Sequence, residues 1–273
     1  VGTPSSPRPR APLSVDGVSN ALASRELTGR LVVLARCDST NAEARRLLEA
    51  GTGADPGPAA APWLLVTAEE QTGGRGRLDR SWESPAGSGL LMSLAVVIPR
   101  GVVANVVGWL PLIAGLATAA SCRRLAVPAS VKWPNDVVVG DPVRKLAGVL
   151  VERSGSWAVI GIGINVDLQP SEFPTTMASS LVVETGGVPV DRATLLADVM
   201  AGVLSRWRRL LAAGDAERSG LHDEFLRRCT TINQQVRVQR SDAADLRGRA
   251  VGIDSAGHLL LVDPSGHRRT VTV

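Results

Sequence analysis

Apolar and polar positions along the 273 residues switch between the strand period and the helix period. Residues 1–29 open with a Pro/Ser-rich stretch and predict one short helix at most. Leu31 to Ala35 is an apolar run that predicts a strand. Asp38-Ser39-Thr40-Asn41 then leads into helical spacing through Leu48, with Gly51 as the stop. Thr40 and Glu43 stand at capping-box spacing, which makes Thr40 the expected N-cap. Gly51 to Pro62 reads as a Pro/Ala/Gly loop, Trp63 to Ala68 as a strand, and Gln71 to Arg80 as a loop rich in glycine and arginine. Leu90 to Ile98 has the unbroken apolar character of a strand covered on both faces. A helix near 103–124 precedes three β segments, Ser130–Val139, Lys145–Glu152 and Trp157–Val166. Gly140-Asp141-Pro142 and Ser154-Gly155-Ser156 are turn signals between them, so antiparallel neighbours are expected. Helical spacing returns at about 192–212 and 217–228. From about residue 233 short strands alternate with glycine-containing turns: Val236 with Val238, then Ala250–Ile253, Leu259–Val262 and Thr270–Val273. That is the texture of a small β-barrel. The expected division is an extension over 1–29, a main α+β unit over 30–228 and a barrel over 229–273.

Composition changes this picture at three points. The stretch between Arg100 and Arg123 carries no charge, which raises the question of a membrane span. Asn105 and Pro111 interrupt it, Trp109, Leu112, Ile113, Leu116, Ala117 and Ala120 share one helical face, and Ala114, Gly115, Thr118 and Ala119 make the other side small enough for close packing. A buried helix is therefore the expectation, and no membrane partner. Cys37, Cys122 and Cys229 are odd in number, far apart and without C-x-x-C spacing, which argues against a disulfide framework or a zinc site and for a cytoplasmic location. The first 12 residues hold four prolines and no apolar core of a signal peptide. The net charge of +4 is scattered, with no basic run of the kind that follows nucleic acid. Lys132 and Lys145 are the only lysines in a chain otherwise supplied with arginine. Where lysine persists under such a bias, a compact point charge is called for.

Several generic chemistries are missing. There is no G-x-x-x-x-G-K-[ST], Gly161-Ile162-Gly163 lacks the third glycine of a dinucleotide fingerprint, and no H-E-x-x-H occurs. His222, His258 and His267 all fall late in the chain, and no residue set has metal-ligand spacing. What stands out is Gln71-Thr72-Gly73-Gly74-Arg75-Gly76-Arg77, where glycines let backbone amides approach a ligand and Arg75, Arg77 and Arg80 add planar donors for phosphate or carboxylate. A solvated surface loop would have the same composition. Lys132-Trp133-Pro134-Asn135-Asp136 brings a cation, an amide and a carboxylate around a proline turn, and a hairpin would return Lys145 toward Asp136. Gly148 in mid-strand marks a close approach. Ser39-Thr40-Asn41 opens a helix, which serves capping or the binding of a polar ligand. The set supplies anion binders, a lysine and polar donors but no nucleophile, which suits phosphate chemistry by positioning and charge stabilisation.

Taken in order, these motifs resemble the biotin–protein ligases. The resemblance rests on Ser39-Thr40-Asn41, Glu70 to Arg77 with Arg80 and Trp82, Lys132 to Asp136, Lys145 to Glu152, and Gly161 to Val166. It implies a mixed β-sheet with helices on one side, like that of class II aminoacyl-tRNA synthetases, followed by an SH3-like barrel. The implied reaction uses ATP with Mg²⁺ to make biotinyl-adenylate, then passes biotin to a lysine of a biotin carboxyl carrier protein. The resemblance places Ser39, Thr40, Asn41, Gln71, Arg75, Gly76, Arg77 and Lys145 around biotin. It places Arg77, Arg80, Trp82, Asn135, Asp136 and Asn165 near the nucleotide, with Lys145 and Arg77 catalytic and Asp136 holding magnesium or orienting the acceptor amine. Leu78-Asp79 departs from the commonest loop pattern without removing an arginine. About 30 residues precede the first strand, too few for the DNA-binding domain that some members carry, so no specific DNA binding is expected; a monomer or weak homodimer is. A lipoate–protein ligase shares the fold and the acyl-adenylate logic, and a nucleic-acid module built on the arginine loop is opposed by two Phe and no Tyr.

Overall fold

The computed structural model describes residues 10–51, 62–78, 80–239 and 245–272; most of the expected Pro/Ala/Gly loop, at 52–61, lies outside them. In chain order the elements are α1 (Val15–Ala23), β1 (Arg30–Cys37), α2 (Thr40–Gly51), β2 (Trp63–Gln71), β3 (Gly89–Val97), α3 (Ala104–Val107) and α4 (Leu110–Arg124). They continue with β4 (Ser130–Lys132), β5 (Asp136–Val139), β6 (Arg144–Ser154), β7 (Trp157–Asn165), α5 (Leu181–Glu184), α6 (Arg192–Ala213) and α7 (Leu221–Leu226). The last four are β8 (Gln235–Val238), β9 (Leu246–Ile253), β10 (Leu259–Val262) and β11 (Arg268–Val271).

Strands β1 to β7 form one mixed sheet in the order β1-β2-β3-β7-β6-β5-β4, parallel only between β1 and β2. Both faces of its centre are covered, which explains the continuous apolar run of β3, where Leu94 and Val96 enter one core and Ala95 the other. Helices α1, α4 and α6 make the expected layer; α2 packs Ala44 and Leu48 on the opposite face, against Leu64, Val66 and Val159.

Four local expectations are corrected. Thr40 is not the N-cap of α2: the Glu43 amide donates to the Ser39 carbonyl (2.9 Å), so Thr40 lies inside the first turn. Parallel pairing sets Gln71 opposite Cys37, and its Oε1 accepts the Thr40 amide (2.7 Å) in place of a cap; the Glu43 carboxylate goes to Arg46. The segment 130–139 is two strands, because the Trp133 amide leaves the ladder for Thr231 Oγ1 (3.0 Å) and the chain turns through cis Trp133–Pro134 to set Lys132 opposite Asp136. The helix near 103–124 breaks at Gly108 and Trp109, with Pro111 in the first turn of α4. By length and composition the 104–124 stretch could cross a membrane, yet most of it is buried in this fold. Both sides of α4 are packed: Ala114, Gly115, Thr118 and Ala119 are as buried as Leu116, while Ala120 is only half-buried. Gly202 of α6 allows this, since a Cβ there would stand 3.0 Å from that of Ala117. The 217–228 pattern is helical only at Leu221–Leu226, after a left-handed Gly220.

Strands β8 to β11 form a separate antiparallel sheet, order β11-β10-β9-β8, a small barrel-like unit. Its Ala250, Ile253, Leu259 and Leu261 belong to the same apolar cluster as α4 and α6. Two indoles fasten it: Trp109 Nε1 donates to Ser255 O (2.8 Å) and Trp133 Nε1 to Gly257 O (2.9 Å). That docking brings β8 against the face of the main sheet where the sequence motifs gather. A buried ion network ties the N-terminal segment down at the other end: Arg192 pairs with Glu69 and donates to Ala11 O, while Arg10 reaches Asp167 and Glu172.

Candidate active site

A cavity of about 910 Å³ lies on the β6–β7 floor beneath the Gly/Arg loop, walled by the 132–136 turn and by Gln234 to Gln239 of the C-terminal unit. Ser39, Thr40, Asn41, Gln71, Arg75, Gly76, Arg77, Arg80, Trp82, Asn135, Asp136 and Lys145 all line it. Asn165 does not. It is buried at the end of β7, and its amide donates to Ser179 O (2.9 Å) and Lys145 O (3.5 Å), so it fixes the chain that carries Lys145 instead of reaching a ligand.

One end of the cavity is neutral and hydrogen-bonding. Thr40 and Asn41 are buried at the start of α2 above Ser93 of β3, which is fully buried. Ser93 Oγ lies 2.6 Å from Asn41 Oδ1 and 2.7 Å from Thr40 Oγ1. Asn41 Nδ2 donates to Glu152 Oε2 (2.7 Å), and Arg45 holds the other oxygen of Glu152. Sequence reasoning missed Ser93 and Glu152; only the sheet order β3-β7-β6 brings them beneath α2.

The other end is cationic. Lys145 Nζ sits 2.7 Å from Asp136 Oδ1 and 5.4 Å from the centre of the Trp82 ring. This is the return of Lys145 that the hairpin predicted, with a register shift between Val137 and Val138. Asn135 closes the turn onto β6: its Nδ2 donates to Val149 O (2.8 Å), and its own carbonyl accepts the Val149 amide (2.9 Å). Arg77 is half-buried and makes no ion pair among the described residues; burial pushes its guanidinium below the ordinary arginine range, and the charge of Asp136 opposes that shift. Arg80 donates to Gln239 Oε1 (2.7 Å), which joins the Gly/Arg loop to the strand end of the C-terminal unit. Trp82 lies over the floor, where a Cβ on Gly163 would stand 2.5 Å from its ring and one on Gly148 3.0 Å. Its Nε1 is buried without an acceptor among the described residues.

Magnesium has little to hold it here. Among the described residues Asp136 and Asp141 are the only carboxylates on the cavity wall, Asp136 is already paired, and no cluster of three metal-ligating side chains exists. A cation would have to arrive largely on phosphate oxygens, as Mg²⁺ often does.

A mixed sheet with a polar pocket at one end of a cleft and a group of cations at the other suits an enzyme that activates an acid with a nucleotide. Residues 57–168 match the biotin/lipoate A/B protein ligase family, and residues 231–273 match the biotin protein ligase C terminal domain. The chain is 35% identical to the biotin–[acetyl-CoA-carboxylase] ligase of Mycobacterium tuberculosis over 89% of its own length and 86% of that protein. It is 34% identical to the enzyme of the same name from Paracoccus denitrificans, over 86% and 95%. Among solved structures, the biotin protein ligase of Aquifex aeolicus in complex with biotin and ATP superposes with a TM-score of 0.71 at 25% identity, covering 90% of this chain and 97% of that one. The chain belongs to the biotin–protein ligase family, and it is a ligase.

Proposed function

We propose that the protein forms biotinyl-5'-AMP from biotin and ATP and transfers the biotinyl group to a lysine of a biotin carboxyl carrier protein. The observation that carries the assignment of roles is the division of the cavity: Thr40, Asn41 and Gln71 at a neutral end, Lys145, Arg77 and Arg75 at a cationic one. The neutral end suits the ureido group of biotin, with Ser39 beside it, and leaves the carboxylate to meet the cations. Biotin's carboxylate oxygen then attacks the α-phosphorus and pyrophosphate leaves. Lys145, held in place by Asp136, and Arg77 stabilise the charge that develops between the two anions. Arg75, Gly76 and Arg80 lie on the loop that covers this junction, and Arg80 with Asn135 and Asp136 borders the phosphates. Excluding water from the covered cleft keeps the adenylate from hydrolysis. In the second step the carrier's amine attacks the acyl carbon and AMP leaves. Magnesium would come with ATP and supply charge neutralisation on the phosphates, and Asp136 is the wall carboxylate best placed to face it. Three free thiols fit a reducing cytoplasm, and we assign a monomer or weak homodimer.

The test is to incubate purified protein with biotin, ATP and Mg²⁺ and to look for biotinyl-adenylate by mass spectrometry, with lipoate in parallel. A biotin-dependent adenylate is the expected product. None with biotin from folded protein would end the proposal, and adenylate with lipoate alone would move the protein to the sister activity.

A further inference from the structure

We propose that Glu152, although it faces α2 and not the ligand, is a positioning residue that sets which partner at the neutral end donates and which accepts. The inference rests on the biotin reading above and deepens it. The reasoning follows the protons. A carboxylate and a backbone carbonyl only accept, so with Glu152 Oε2 at 2.7 Å and Leu150 O at 3.3 Å, Asn41 must turn its amide nitrogen toward β6. Arg45 occupies the other Glu152 oxygen (3.1 Å) and fixes the carboxylate in that pose. Gly161 completes the seat: a Cβ there would stand 2.5 Å from Asn41 Oδ1, so only glycine leaves room for it.

Asn41 Oδ1 is thereby aimed at Ser93, whose hydroxyl has a single proton to give. Donated to Asn41 over 2.6 Å, that proton is no longer available for Thr40 Oγ1, 2.7 Å away. Two oxygens at that distance need a proton between them, and Thr40 must supply it. Gln71 Oε1, which also accepts the Thr40 amide at 2.7 Å, is the other acceptor within reach of the Thr40 hydroxyl, but at 3.0 Å it is farther than Ser93 Oγ at 2.7 Å, so the proton goes to Ser93. Thr40 Oγ1 is left with lone pairs for the cavity, and Gln71 Nε2, with no acceptor among the described residues, is left as a donor beside it. An acceptor next to a donor matches a group with an N–H next to a C=O, the arrangement in a cyclic urea. Glu152 is the origin of that order, three hydrogen bonds upstream of Thr40 Oγ1.

The experiment measures biotin affinity by calorimetry without ATP, and compares it with 2-iminobiotin, whose guanidinium form puts a further donor where biotin has its oxygen. Glu152→Ala and Ser93→Ala are the test variants. Each is expected to weaken biotin about tenfold, the weight of one hydrogen bond to a fixed partner. The KM for ATP should stay constant, and the preference for biotin over 2-iminobiotin should shrink. Glu152→Gln, which still offers Asn41 an oxygen, should recover most of the affinity and the preference. Variants that fold with wild-type biotin affinity and unchanged preference would overturn the inference. So would parallel losses for biotin and ATP, the mark of a merely structural role. Wild-type protein that fails to bind biotin at all would instead remove the functional reading beneath it.

Discussion

Lys145→Met separates the catalytic weight of the lysine from its weight in folding. The Lys145 side chain is 39% exposed and that of Asp136 25%, so water screens the pair despite its 2.7 Å contact. An ion pair in that setting contributes about 1 kcal/mol or less to stability. Methionine keeps most of the aliphatic stem, and for a chain of this size the melting temperature should fall by only about 2–4 °C. On the proposed reading the reaction is different, because the ammonium would meet charge that exists only as the α-phosphate is attacked. Losing one such preorganised donor costs roughly 2.7–4 kcal/mol, about a hundred- to a thousandfold in rate. The assay is single-turnover formation of biotinyl-adenylate at saturating biotin and ATP, with thermal unfolding followed on the same preparations. Asp136→Asn should give a smaller loss, since it leaves the cation and removes only its anchor. A Lys145→Met protein within tenfold of wild type would refute the electrostatic role. A melting temperature lowered by more than about 10 °C would refute the stability reasoning, because it would exceed what a screened pair can contribute.

Three further outcomes follow from the structure. Gly163→Ala places a Cβ where the Trp82 ring stands, 2.5 Å away, so the indole must move; the fluorescence difference between this variant and Gly163→Ala/Trp82→Phe should shift to the red, and an unchanged difference spectrum would refute the packing. Arg192→Met leaves Glu69 buried without its guanidinium, the two side chains being 9% and 13% exposed, and urea unfolding should report a loss of about 3–5 kcal/mol; a change below about 1 kcal/mol would show that the network relaxes into water. Burial pushes the thiols of Cys37 and Cys122 up from 9.0 to about 11 and about 12, so above about pH 9 the unfolded chain gives up those protons first and stability should fall as pH rises through that window. With no Tyr and only two Lys to titrate alongside, the slope of the urea midpoint between pH 9 and 11 should flatten in Cys37→Ser/Cys122→Ala, and an equally steep slope would exclude the thiols as its source.

Legibility in the sequence followed the distance over which each feature is encoded. The Gly/Arg loop, the 132–136 turn and Lys145 were readable because each motif is contiguous and a hairpin is a local instruction. The strands and long helices were readable from period, except where a tertiary partner claimed a backbone group: Thr231 took the Trp133 amide and split one expected strand in two. Thr40 was misread as a cap because its true acceptor, Gln71, lies 31 positions away and arrives only through parallel pairing. Asn165 was placed near the nucleotide on its motif alone, whereas the segment carrying Ser179 captures its amide. Ser93 carried no signal, since a serine in a buried strand is ordinary until the sheet order is known, and Glu152 entered only as the last residue of a motif, without a role. The part played by Gln234 to Gln239 was equally hidden, because it depends on two indole N–H groups fixing the C-terminal unit in place.

The two ends of the cavity store different kinds of incompleteness, and this argues for the order in which they are satisfied. At the neutral end every buried polar atom described for Thr40, Asn41 and Ser93 has a protein partner, so that pocket is formed before anything binds. At the cationic end Arg77 is half-buried with no carboxylate in contact, Trp82 Nε1 has no acceptor, and Arg75 and Lys132 face the same space; the opposing charge on the wall is Asp136 and Asp141. A desolvated guanidinium without a counter-charge is costly, and an anion that reaches it recovers that cost. Binding at the neutral end requires little rearrangement and delivers a carboxylate to the cations. A carboxylate there would lower the charge excess that the loop arginines bring to the junction where phosphate must follow. On the proposed reading the preformed end would select the acid, and the acid's arrival would make the cationic end a site for the nucleotide.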